Sequence, residues 1–259
     1  MSLPVSQAWE ATLAYVKRES HLLVPLALAT LALGQAAFEL GAGLIERKVP
    51  PVQVLPLILP GLLLMLGGQL SILSLVFTPG ISVGEALKSG FSRLPRLMLF
   101  SLGMGALFAA LILPVLIMAL KAGYDPTSAR PVDLPGYAVV WAGAAMAIMI
   151  WLSIRTYFSA ALMVDRNASV LDAVNGSFAL TRGRAATLFG VAAIFMVVGT
   201  VLQSAAEMIV GILFGAIGKM AAMPLLPVVM VALGVGMVAA AIGLVTSVFV
   251  AMLYKSIAE

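Results

Sequence analysis

Two pairs of polar residues stand at the same spacing inside otherwise apolar stretches. Gln35 and Glu39 lie in Q-A-A-F-E, and Gln203 and Glu207 lie in Q-S-A-A-E. Residues four apart share a face of a helix, so each pair would set an amide beside a carboxylate. Such a face can bind a cation, hold a polar solute or pass a proton. Gln69, deep in a third apolar run, joins them as a binding candidate. An ionisable group inside a membrane is costly and points to function by default. Depth argues the other way. At about 1.5 Å per residue, Glu39 lies about 27 Å along a helix from His21, near the far interface, where a carboxylate reaches water. An interfacial or structural role for Glu39 and Glu207 therefore stands beside a binding role.

Arg155 is the other charge in an apolar setting, flanked by Ser153, Thr156 and Tyr157. It can snorkel to the membrane surface, or pair with Asp165 or Asp172. Alternatively it can meet a lipid phosphate together with Arg182 and Arg184. Lys88, Arg93 and Arg96 complete the candidates for lipid-headgroup contact.

Other chemistries lack their residues. There is no cysteine and a single histidine, His21. That excludes disulfides, thiol catalysis and histidine-rich metal sites, and makes a His-dependent triad improbable. No phosphate-binding glycine loop, H-E-x-x-H or G-x-S-x-G motif occurs. The expectation is a non-enzymatic protein with no catalytic residues, no metal and no cofactor. The net charge of +4 does not indicate nucleic acid, because the lysines and arginines cluster at the ends of apolar runs.

The elements that carry these residues belong to a membrane protein. Of 259 residues, 62% are hydrophobic and only 10% are charged, against about 25% charged in soluble domains. The apolar runs are long enough to cross a hydrocarbon core about 30 Å thick. Six spans are predicted: Leu22–Leu44, Val54–Phe77, Leu97–Leu120, Tyr137–Val164, Ala185–Ile217 and Leu225–Tyr254. The fourth is long enough to need tilt or to project beyond the bilayer, and the fifth is too long for one straight crossing. A polar loop is expected at Lys121–Pro135 and a turn of the chain at Gly218–Pro224. Lys17 and Arg18 before an apolar run resemble the start of a signal peptide. The charged stretch is long and amphipathic, however, so a retained first span is the better reading.

Between the spans lie three polar islands: Pro4–Arg18, Ser82–Arg96 and Asp165–Arg184. Each has the apolar spacing of an interfacial helix, with Trp9 and Tyr15 as belt anchors in the first. Ser82 with Glu85, and Ser169 with Asp172, have the spacing of helix caps. Aligned, the islands match Val5, Val83 and Val170, then Gln7, Glu85 and Asp172, then Ala8, Ala86 and Ala173. The fold class expected is all-α. It consists of one integral membrane domain of three parallel units, each an interfacial helix followed by two spans, at about 1–78, 79–165 and 166–259.

Topology follows from the basic residues. Lys17, Arg18, Lys88, Arg93, Arg96, Arg166, Arg182, Arg184 and Lys255 fall on one side. Arg47, Lys48, Lys121, Arg130 and Lys219 fall on the other. This excess puts both termini in the cytoplasm.

The third island carries Asp172-Ala173-Val174, Ser177-Phe178 and Leu180-Thr181-Arg182-Gly183-Arg184 between two spans. In this it resembles the YciC-like proteins and the membrane domain that precedes some glycerophosphodiester phosphodiesterases. The resemblance is best over residues 155–200. It implies a six-span bacterial inner-membrane protein and transfers no catalytic residue. Three functions fit the sequence. The first is binding of membrane lipid or another hydrophobic compound in envelope homeostasis or transport. The second is a structural subunit beside a membrane-protein partner or a second copy. The third is a small-solute or ion permease.

Overall fold

The computed structural model describes residues 4–123, 135–220 and 225–258, apart from the Lys219 side chain. The expected loop at Lys121–Pro135 and turn at Gly218–Pro224 fall largely outside the described residues. Regular structure among the described residues is entirely helical. The order is α1 (Val5–Arg18), α2 (Ser20–Ala27), a π-helical turn (Leu28–Ala32), α3 (Leu33–Glu46), α4 (Pro51–Phe77) and α5 (Val83–Lys121). There follow α6 (Gly136–Arg155), α7 (Ser159–Asp165), α8 (Val170–Leu180), α9 (Ala185–Met220) and α10 (Leu226–Ala258). Among the described residues, six segments are long and apolar enough to cross a membrane: Ser20–Glu46, α4, α5, Gly136–Asp165, Ala185–Gly218 of α9, and α10.

The second island differs from the expected separate interfacial helix. It runs without a break into the third span as α5, a single helix of 39 residues. Ser82 and Glu85 form the capping box that starts it, with Ser82 N–H donating to Glu85 Oε2 at 2.8 Å. Pro95 does not end the helix. A proline there deprives the Phe91 carbonyl of its donor, but Pro95 sits on an exposed face. The third island stays separate as α8, started by Ser169 Oγ accepting from Asp172 N–H.

The fourth span, expected to run unbroken over Tyr137–Val164, breaks at residues 156–158 into α6 and α7. The broken turn frees backbone groups, which in a membrane must find partners within the protein. Ser177 of α8 supplies them. Its hydroxyl donates to the Arg155 carbonyl at 2.7 Å and accepts from Phe158 N–H at 3.1 Å.

The three islands bury corresponding residues. Ala8, Ala86 and Ala173 are all buried, and so are Thr12, Gly90 and Ser177. Gln7, Glu85 and Asp172 are all exposed. Each island presses this small-residue stripe onto a neighbour: α1 onto α10, the start of α5 onto α4, and α8 onto α7. At Gly90 an added side chain would run into Ser71, whose backbone nitrogen would lie 2.6 Å from the new carbon. The spans also approach closely. A carbon added to Gly34 would lie 2.6 Å from the Gly61 carbonyl, and one on Gly236 would lie 2.6 Å from that of Ala32.

One end of the bundle gathers both ends of the chain. The last carbonyls of a helix have no partner within it, and at α4 they are met from outside. Tyr15 Oη donates to the Leu75 carbonyl and Lys255 Nζ to the Val76 carbonyl, each at 2.8 Å. Burial pushes the Tyr15 phenol above its ordinary range, with Glu19 adding to the shift and Arg18 opposing it. Tyr254 Oη reaches Asp165 Oδ2 at 2.8 Å, and Arg96 reaches Asn167 Oδ1 at 2.7 Å. Lys255→Met removes a charged donor to a helix end. It should cost about 1.5–3 kcal/mol, and Tyr15→Phe about 1 kcal/mol. Both should appear as lowered thermal unfolding temperatures in mild detergent.

Candidate functional site

α10 lies between α3 and α9 and carries one carboxylate-bearing helix on each side. Against α3, a carbon added to Gly43 would lie 3.0 Å from Val228. Against α9, one added to Gly234 would lie 2.8 Å from Val210. The result is a cleft of about 440 Å³ lined by Glu39, Glu46, Arg47 and Glu207, with Val228 and Val231 as part of its floor. Glu39 and Glu207, 168 positions apart in sequence, thus face one space. The cleft takes in the last turn of α3 and the first turn of α10, so it lies toward the end away from the chain termini.

Gln35 Nε2 donates to Glu39 Oε1 at 2.7 Å, the bond that the Q-x-x-x-E spacing predicts. Glu39 is half-buried and Glu207 exposed. Gln203 does not line the cleft, and Gln69 lies in a different cavity. The five binding candidates therefore divide. Gln35, Glu39 and Glu207 belong to one locality, and the other two do not join it. Among the described residues no group of three or more His, Cys, Asp or Glu residues is placed to hold a metal ion.

A second concavity is apolar throughout. It has a volume of about 400 Å³ and is lined by Val5 and Trp9 of α1, Val191, Ile194, Phe195 and Val198 of α9, and Phe249 of α10. The four α9 residues repeat at i, i+3, i+4 and i+7, one helical face. Trp9 packs on Phe195 and Phe249, with ring centroids 6.2 Å apart in each case. Sequence reading marks Trp9 as a membrane anchor but misses the groove, because its walls come from α1, α9 and α10, which are far apart in sequence. Arg184 lies seven residues before Val191, about 10 Å along the helix at 1.5 Å per residue.

The basic candidates separate just as clearly. Arg155 pairs with neither Asp165 nor Asp172, contrary to one expectation. It turns instead to the end of α8, donating to the Phe178 carbonyl at 3.1 Å and to Thr181 Oγ1 at 3.2 Å. Its guanidinium lies over the rings of Trp151 and Phe178 at 5.7 and 5.1 Å. The reason is geometric: the break after Arg155 brings the C-terminus of α8 alongside, and a helix C-terminus attracts cations. Arg93 bonds to Ser89, and Arg96 to Asn167. Lys88 and Arg182 are exposed and Arg184 half-buried. These three have neither side-chain hydrogen bonds nor salt bridges within the described residues.

Comparison with family models, with curated proteins and with solved structures gives no match to this chain. Its function must therefore be argued from its own clefts and charges.

Proposed function

We propose that the chain is a non-enzymatic lipid-binding protein of the bacterial inner membrane, with both termini cytoplasmic. Its site would be the groove between α1, α9 and α10, and its ligand an anionic glycerophospholipid of the cytoplasmic leaflet. The observation that carries this reading is the conjunction of a wholly apolar groove with two uncommitted arginines at the start of α9. An acyl chain suits the groove, which offers no polar partner. A phosphate suits Arg182 and Arg184, where the N-terminus of α9 adds its own positive field.

The excess of basic residues at the end where the termini meet supports the cytoplasmic orientation. The shared burial of Ala8, Ala86 and Ala173, and of Thr12, Gly90 and Ser177, supports three parallel repeat units. In that arrangement each island rests on the last helix of the preceding unit, and α1 resting on α10 closes the ring.

The experiment is a lipid inventory of the purified protein beside its Arg182→Gln/Arg184→Gln variant. The reading predicts that anionic phospholipid co-purifies with the parent and is depleted about tenfold in the variant, equivalent to about 1.4 kcal/mol. Equal amounts in both would remove its basis. The cleft at Glu39 and Glu207 favours a second reading, a permease for a cationic solute. A protein that carries no bound lipid but takes up organic cations in a Glu39- and Glu207-dependent way would turn the choice toward it.

A further inference from the structure

A third cavity, of about 270 Å³, lies among α4, α5, α7, α10 and the turn between α6 and α7. Gln69, Leu97, Tyr157, Gly243, Thr246 and Ser247 line it, and no charged side chain does. Gln69 is eight residues from the end of α4, about 12 Å at 1.5 Å per residue. The cavity thus sits within the spanning part of the bundle, toward the end that gathers the termini. It shares α10 with the apolar groove but no lining residue.

Three of its four polar side chains are uncommitted. Ser247 Oγ is satisfied by the Gly243 carbonyl at 2.7 Å. Gln69, the Tyr157 hydroxyl and Thr246 have no hydrogen-bond partner within the described residues. Together they offer an amide with two donors and an acceptor, and two hydroxyls that can donate or accept. An amide or hydroxyl left unpaired in an apolar medium costs about 2–7 kcal/mol. Gln69 is exposed and Tyr157 and Thr246 are half-buried, so where this surface faces hydrocarbon the three groups are expensive unless something polar occupies the space between them. The space is large enough for water, with the two to four polar partners that a buried water needs.

We propose that this chamber is a water-accessible binding site for a small uncharged hydrogen-bonding solute, of the size of a polyol or a simple amide. Without a countercharge in the wall, an ion would enter at the full cost of losing its hydration. A neutral solute exchanges water hydrogen bonds for those of Gln69, Tyr157 and Thr246. The proposal does not depend on the lipid groove.

The chain contains no cysteine, so Thr246→Cys would carry the sole thiol. Its reaction with neutral 2-hydroxyethyl methanethiosulfonate and with the cationic trimethylammonium-ethyl analogue is compared in proteoliposomes with both faces accessible. Met237→Cys, at an exposed position within an apolar span, and Ser92→Cys, at an exposed position in the second polar island, are the references. The chamber predicts that Thr246→Cys reacts with the neutral reagent at least about tenfold faster than Met237→Cys. The neutral-to-cationic ratio should exceed that at Ser92→Cys by about tenfold, the discrimination expected of an uncharged wall. Molar glycerol should slow the reaction at Thr246→Cys and not at Ser92→Cys. A rate no greater than that of Met237→Cys, the same ratio as Ser92→Cys, or no protection by glycerol would each overturn the proposal. If Thr246→Cys does not assemble, Ala160→Cys, in the part of the lining that α7 supplies, takes its place.

Discussion

Gly90→Leu is expected to be among the most disruptive single substitutions in this protein, lowering stability by about 3 kcal/mol or more. Gly90 is buried where α5 crosses α4. An added carbon would meet Ser71 on both its side chain and its backbone, with the Gly67 carbonyl at 2.9 Å. Backbone cannot swing aside as the tip of a side chain can, so the helices must separate. Their separation would also disturb the neighbouring contact of Gly67 with the Phe91 ring. Gly84, on the same helix, has nothing within 4 Å of an added carbon. Gly84→Leu should therefore change stability by no more than about 0.5 kcal/mol. Thermal unfolding of the two variants in the same detergent separates contact from helix propensity. If the repeat register is right, Thr12→Leu and Ser177→Leu should resemble Gly90→Leu, since these positions occupy the same buried place in their islands.

Ser177→Ala is the second large effect. One hydroxyl serves both sides of the break in the fourth span, donating to the Arg155 carbonyl and accepting from Phe158 N–H. Its loss leaves a buried donor and a buried acceptor unpaired, at about 1–3 kcal/mol each. Because Arg155 leans on the same end of α8, the whole α6–α7–α8 corner should loosen together. Ser159→Ala supplies the contrast. Ser159 Oγ is buried with no partner, so its removal leaves nothing unpaired, and stability should stay level or rise. If Ser159→Ala proved as costly as Ser177→Ala, the hydrogen bonds at the break would not be what holds that corner.

These contrasts mark what the sequence makes legible. The spans follow from apolar runs, and both helix caps from Ser82-x-x-Glu85 and Ser169-x-x-Asp172, because these signals are local. The Gln35–Glu39 bond is local in the same way. That Glu39 and Glu207 face one cleft depends on α10 packing between α3 and α9, which the shared Q-x-x-x-E pattern suggests without determining. The break at residues 156–158 is not legible, since no proline or glycine marks it. Its stabilising hydroxyl comes from another helix, Ser177 in α8. The partners of Arg155 are hidden for the same reason: the Phe178 carbonyl, its ring and Thr181 Oγ1 come from α8, and sequence offers the membrane surface, Asp165, Asp172 or a lipid phosphate without pointing to them. The continuous α5 is hidden by the polar residues of Ser82–Arg96, which separate the island from the span in sequence although one helix carries both. The groove around Trp9 escapes because α1 and α10 meet only when the chain closes on itself.

The lipid reading is tested most directly by native mass spectrometry of the gently solubilised protein beside Val198→Trp. That substitution fills the groove from one wall of α9 without touching Arg182 or Arg184. The account predicts one anionic phospholipid bound per protomer of the parent, and its loss from Val198→Trp while the unfolding temperature is retained. A parent that flies without lipid, or a filled groove that keeps the same lipid at the same stoichiometry, would contradict it.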